Sequence, residues 1–152
     1  ALADDYFGAS VAIDGEYVLI GAPGHDSNGL DVGRAYLVDA TTGDLLHIFD
    51  DPTPTLADGF GSSVAIDGNL ALVGAPGDDT NGEDVGQAYL FDAATGDLLH
   101  IFDDPTPTLA DGFGSSVDVD GSSVLIGDPG DDTNGQDVGQ AHLFDVSGLL
   151  LA

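Results

Sequence analysis

Short apolar runs of four or five residues, each closed by Gly, Asp or Pro, recur along the whole chain. In its central stretch they predict four strands: Ser63-Val64-Ala65-Ile66, Leu70-Ala71-Leu72-Val73, Ala88-Tyr89-Leu90-Phe91 and Leu98-Leu99-His100-Ile101-Phe102. Asp67-Gly68 between the first two is a hairpin signal, and Gly74-Ala75-Pro76-Gly77 is expected to stop the second. A polar loop follows from Asp78 to Gly86, and Asp92 to Gly96 make the next turn. The prolines of Asp103-Asp104-Pro105-Thr106-Pro107-Thr108 block strand pairing and hold that segment extended. Runs such as Tyr17-Val18-Leu19-Ile20 are continuous rather than alternating, which predicts small sheets covered on both faces. No segment has the length and period of a helix.

The pattern is one unit of 53 residues written nearly three times: Gly43 to Val64 recurs letter for letter from Gly96 to Val117. A repeat of this length is one supersecondary unit that cannot bury its own apolar surface and must stack on its copies. The expected fold is all-β, with three four-stranded antiparallel repeats stacked face to face as the blades of a β-propeller. The blades are expected at 1–55, 56–108 and 109–152, the last with a truncated fourth strand. Three blades do not close a ring. Association is therefore expected, either of two chains into a six-bladed ring or of many into a fibre, because a bare blade face is a large apolar patch.

Phe7-Gly8, Phe60-Gly61 and Phe113-Gly114 open the three copies, and Gly21-Ala22-Pro23, Gly74-Ala75-Pro76 and Gly127-Asp128-Pro129 follow at one offset. This spacing resembles the FG-GAP repeat over essentially the whole chain. The resemblance implies the propeller of integrin α chains and of related bacterial and archaeal surface proteins, and it extends to the integrin-like propeller of certain fungal lectins. Two departures stand out. The third copy has Asp128 where the others have Ala22 and Ala75. The family's calcium loop lies between the first two strands, where this chain has only Asp14-Gly15, Asp67-Gly68 or Asp120-Gly121, so that site does not transfer.

The formal charge of −27 comes from 28 acidic residues against Arg34 alone; all but Glu16 and Glu83 of the acids are aspartate, and Lys is absent. A bias towards the shorter acid points to turns, where Asp bonds its own backbone, and to ligation of hard cations by oxygen. Nucleic acid and anionic membrane surfaces are excluded as partners, since no phosphate is neutralised. No apolar run approaches the roughly 20 residues of a membrane span. There is no Cys, hence no disulfide and no thiolate chemistry. The chain does not begin with Met and is read as a processed product or a piece of a longer one.

The first candidate site is the loop after the second strand, with the shared core Asp-x-Asn-Gly-x-Asp. It places Asp26, Asn28 and Asp31, then Asp79, Asn81 and Asp84, then Asp132, Asn134 and Asp137 in register. Alternating oxygen ligands around a Gly turn suit calcium, although the spacing is not that of an EF-hand. The competing reading is a polar turn in which these side chains cap backbone N–H groups. The pairs Asp50-Asp51 and Asp103-Asp104, near Asp58 and Asp111, are weighed as acid–base groups, but a site repeated around a stack reads as binding or structure. His47 and His100 read as packing residues, His142 stands where the other copies have Tyr36 and Tyr89, and His25 replaces Asp78 and Asp131. Thr53-Pro54-Thr55 and its copy read as stiff linkers, with O-linked glycans as the alternative.

The expected role is non-enzymatic: an extracellular structural or adhesion module, self-associating through blade faces and stabilised by calcium, with a glycan or a surface protein as partner. The alternative is a carbohydrate-binding lectin-type propeller, which needs exposed aromatic platforms. Tyr36, Tyr89 and Phe91 are expected to be buried, leaving Tyr6 and Tyr17.

Overall fold

The computed structural model describes residues 4–26, 29–136 and 138–150. The first repeat forms β1 (Ser10–Asp14), β2 (Tyr17–Ala22), β3 (Arg34–Asp39) and β4 (Leu45–Asp50), and the second forms β5 (Ser63–Asp67), β6 (Leu70–Ala75), β7 (Gln87–Asp92) and β8 (Leu98–Asp103). The third gives β9 (Ser116–Asp120), β10 (Ser123–Asp128) and β11 (Gln140–Asp145). Each sheet is antiparallel with its strands in sequence order, four, four and three strands respectively. They are β-propeller blades, with β1, β5 and β9 packed in turn against one another along the stack.

Two details differ from the sequence expectation. The first hairpin of each blade turns one residue later than expected: Asp67 still pairs with Leu70, so Gly68-Asn69 make the two-residue loop, with Gly68 at φ +53°. This leaves the Asp67 carboxylate free to accept the Gly121 N–H of the next blade at 2.5 Å, as Asp14 accepts Gly68 N–H at 2.7 Å. The second strand also runs on through Gly74 and Ala75, which pair with Ala88 and Gln87, and only Pro76 ends it. The expected coverage of both faces holds for β6, where every residue is buried, and nearly so for β7, while β8 at the edge of the same blade keeps exposed positions such as Leu98.

The blades are held by two apolar layers. Leu19, Leu37 and Phe49 of the first blade meet Val73, Tyr89 and Phe91 of the second. On the other side Leu72, Leu90 and Phe102 meet Val119, Val124 and Ile126 of the third. Phe60 and Phe113 are the plugs of these layers, and both are fully buried. Phe60 N–H donates to Val32 O at 2.8 Å, and Phe113 N–H donates to Val85 O at 2.9 Å, so each Phe is pinned to the blade before it. The Gly that follows closes the joint. Gly61 N–H donates to Gly74 O of its own blade, while Gly61 O accepts from Ser10 Oγ of the previous one at 2.7 Å. Gly114 repeats this with Gly127 O and Ser63 Oγ.

Many of the aspartates are consumed by turns. Asp39 Oδ1 accepts the N–H groups of Thr41 and Thr42, and Asp92 Oδ1 those of Ala94 and Thr95. These backbone bonds hold the Asp39 carboxyl below its ordinary range.

Candidate functional site

Between consecutive blades the linker from one sheet to the next lies against the loop that follows the second strand. At the junction of the first and second blades this brings together three buried carboxylates, Asp51 and Asp58 from the linker and Asp78 from the loop. Tyr89, on β7, plugs the pocket. Its hydroxyl donates to Asp78 Oδ2 at 2.7 Å and lies 2.8 Å from Thr53 Oγ1 and 2.7 Å from Gln87 Oε1. Thr55 donates to Asp58 through both its N–H and its hydroxyl. Asp51 takes the Thr53 N–H on Oδ1, but its Oδ2 is buried without a hydrogen-bond partner. Burial, reinforced by the charges of Asp78 and Asp58, pushes the Asp51 carboxyl up to about 7. Burial likewise raises Asp58, and raises the Tyr89 hydroxyl far above its ordinary value.

The junction of the second and third blades is built on the same frame with different chemistry. Asp104 of the linker, Asp131 of the loop, Asp128 at the end of β10 and His142 on β11 converge, with their ligand atoms all within 4.8 Å of one another. His142 Nε2 stands 3.5 Å from Asp128 Oδ2 and 3.9 Å from Asp104 Oδ1. Asp128 is 0% exposed, and neither of its carboxylate oxygens has a hydrogen-bond partner; Asp104 Oδ2 and His142 Nε2 are also without one. Burial, then the charges of Asp104, Asp111 and Asp131, pushes the Asp128 carboxyl up to about 7. Asp131 moves the other way, to about 2, because Gln140 Nε2 donates to it at 2.7 Å and Thr133 N–H and Thr106 Oγ1 add to that.

The described loop residues singled out by the sequence are exposed and are not among the buried carboxylates. Asp26 Oδ1 accepts the Asp31 N–H at 2.9 Å, and Asp79 Oδ1 the Asp84 N–H at 2.8 Å, with Asp31 and Asp84 at φ +54° and +52°. Asn81 donates to Asp103 Oδ1 at 2.7 Å. Asp132 and Asn134 are likewise exposed, while Asn28 and Asp137 lie outside the described residues. The structure thus uses Asp26 and Asp79 as turn anchors, and it concentrates carboxylates one residue earlier, at Asp78 and Asp131, against the Asp-Asp linker. The sequence signal for this was available: Asp78, Asp51 and Asp58 recur as Asp131, Asp104 and Asp111. What the linear reading missed was that loop and linker meet across the blade junction. His142, in the position of Tyr36 and Tyr89, packs on Phe113, ring centroids 5.6 Å apart, and also faces the carboxylates.

His47 does bridge blades, with Nε2 3.3 Å from Ala94 O. The expected aromatic burial holds for Tyr89 and Phe91, while Tyr6 is 66% exposed. Among the described residues no helix is long and apolar enough to cross a membrane.

No curated protein matches the chain. Among solved structures, the crystal structure of BamB from Moraxella catarrhalis is similar, with a TM-score of 0.56 and 19% identity over 96% of this chain and 35% of that one. That likeness is one of fold alone, and the chain spans about a third of the length of its neighbour. The family profile described as FG-GAP repeat matches residues 1–38, 55–91 and 108–144, one match for each blade. With Phe-Gly and Gly-x-Pro in register in all three matches, and placed by the structure at the two sides of each blade joint, the chain belongs to the FG-GAP repeat family.

Proposed function

We propose that the chain is a non-enzymatic structural and adhesion module of the cell exterior, and that its blades associate head to tail with those of a second copy. The observation that carries this reading is that its two ends offer the two halves of its own internal joint. On the outer face of the third blade, Ser116, Leu125, Gly127 and Ala141 line an open seat of about 130 Å³. Their equivalents Ser63, Leu72, Gly74 and Ala88 receive Phe113-Gly114 in the internal joint. At the other end, Phe7 is 48% exposed and stands 5.3 Å from Tyr36, as Phe60 stands 5.4 Å from Tyr89. Charge agrees: Asp118 lies in the open seat, where the buried equivalent is Ala65, and the chain's sole Arg34 stands on the opposite blade at the position of Gln87. The exterior location is supported by the general habit of FG-GAP repeats.

At −27 per chain the contact needs screening, so association is expected to strengthen with salt. In 0.5 M NaCl, light scattering is expected to give a mass of at least twice 15.3 kDa, and Phe7→Ala or Leu143→Asp, both at exposed positions, should return it to 15.3 kDa. A wild-type chain that stays at the monomer mass at 100 µM and high salt would sink the reading.

A lectin-type role has one specific observation in its favour. Tyr6 borders an open cleft of about 350 Å³ with Pro23, Gly24, Asp31, Ala57 and Gly59, an aromatic surface beside polar groups. Binding of a saccharide on a glycan array, abolished by Tyr6→Ala with the melting temperature unchanged, is the outcome that would favour it.

A further inference from the structure

We propose that the junction of the second and third blades is a binding site for a divalent transition-metal ion of the zinc or manganese class, held by Asp104, Asp128, Asp131 and His142. The two junctions make a natural comparison. In the first, the Tyr89 hydroxyl occupies the centre of the carboxylate pocket and satisfies Asp78, and the wall beside it is the methyl of Ala75, fully buried. In the second, two replacements occur together. Tyr becomes His142, which removes the plug and supplies an imidazole nitrogen, and Ala becomes Asp128, which adds a carboxylate aimed into the space.

Taken as packing, this is a costly exchange. A buried carboxylate with neither oxygen hydrogen-bonded, faced by His142 Nε2 at 3.5 Å, recovers little of the hydration it gives up. A metal ion supplies the missing partner for the Asp128 carboxylate and for His142 Nε2. Ligand atoms on a tetrahedron with bonds of about 2.0–2.1 Å stand roughly 3.3 Å apart, and the His142–Asp128 and His142–Asp104 separations are 3.5 and 3.9 Å. The supporting groups are in place. Gln140, Thr133 and Thr106 all donate to Asp131 and fix its carboxylate, as outer groups do around metal ligands. One imidazole with three carboxylates selects a borderline ion; calcium prefers six to eight oxygens and does not seek nitrogen. This site is distinct from the exposed loop residues Asp26, Asp79 and Asp132, and it occurs in one of the two junctions only.

The test is a calorimetric titration of the chelator-stripped full chain with ZnCl2, MnCl2 and CaCl2 in 0.5 M NaCl, which suppresses diffuse binding to the acidic surface. One equivalent of Zn²⁺ or Mn²⁺ is expected to bind, with Ca²⁺ at least tenfold weaker, and Co²⁺ in the same site should give a visible absorption band. His142→Tyr and Asp128→Ala place at these positions the residues that the middle blade already folds around. Each is expected to weaken binding by more than the 10–100-fold typical of outer-shell changes while the thermal melt persists. Asp51→Asn, at the other junction, should leave the titration unchanged. Stoichiometric binding that survives both variants overturns the proposal, as does Ca²⁺ binding as tightly as Zn²⁺. So does the absence of any tight ion together with an NMR signature of a protonated His142 ion-paired to Asp128.

Discussion

Replacing Gly74 by alanine is expected to unseat the third blade from the second. Gly74 sits inside β6 with unremarkable backbone torsions, so a larger residue there meets no dihedral penalty; the cost is purely one of contact. A Cβ at this position would stand 2.1 Å from Gly114 O, 2.3 Å from Ser63 Oγ and 3.0 Å from Gly114 C. The serine can rotate away, but the carbonyl cannot. It belongs to the Phe113-Gly114 segment, which is tied to Val85 O and Gly127 O by backbone hydrogen bonds and anchored by a fully buried ring. Making room therefore means withdrawing Phe113 from the layer between the blades. Overpacking usually costs 1–3 kcal/mol, and backbone against backbone belongs at or above the upper end, so about 3 kcal/mol or more is expected. For a chain of this size that corresponds to a fall of roughly 6–12 °C in the melting temperature. Gly43→Ala is the control: its φ of +78° disfavours alanine, but nothing lies within 4 Å, and a loss of only about 1–2 kcal/mol is expected. Thermal melts that place Gly74→Ala within 2 °C of wild type would refute this account of the joint.

The same joint explains what was legible in the sequence. The Phe-Gly and Gly-x-Pro signals are legible because each glycine answers a backbone demand: Gly8, Gly61 and Gly114 take φ of +91° to +93°, while Gly21 and Gly74 leave room for Gly61 O and Gly114 O of the next blade. Strand positions were legible because apolar runs and turn residues alternate over short distances, and errors came at the edges. Gly74 stayed in the ladder because a glycine without torsional demands pairs like any other residue. The candidate site was harder to see. Asp79 and Asp84 carry a loop pattern readable within seven residues, and they do organise that loop. The buried carboxylates come from segments far apart in sequence, Asp104 against Asp128 and His142, and only the stacking angle of two blades makes them neighbours. The clue that survives in the sequence is the joint departure of residues 128 and 142 from the other copies, which read singly as substitutions in a motif and in a packing position.

Aspartate at the junctions also sets a pH dependence whose direction is opposite to that of most acidic turns. With chelator present, the chain is expected to lose stability as pH rises from about 4 to about 7, and Asp51→Asn is expected to remove a large part of that loss. The folded-state carboxyl of Asp51 titrates at about 7 against an ordinary value of 3.8. Between these values the unfolded chain has released the proton and the folded chain retains it, so stability falls with each pH increment and levels off above the folded value. A shift of three units is worth at most about 4 kcal/mol for a group that is 5% exposed. Asp58 is raised as well and adds in the same sense, whereas Asp39 and Asp145, lowered by turn hydrogen bonds, stabilise above the unfolded value and lose that contribution only in acid. The stability maximum should therefore lie near pH 4. Asparagine at position 51 keeps an oxygen for the Thr53 N–H at 2.8 Å and carries no charge to bury. Urea midpoints measured from pH 4.5 to 8.5 in 0.5 M NaCl should show the variant overtaking wild type as pH rises, the gap widening up to about pH 7 and then holding constant. Wild-type and variant profiles that run parallel across this range would mean that the Asp51 proton is not what the folded junction retains, and general repulsion among the 28 acids would then account for the slope.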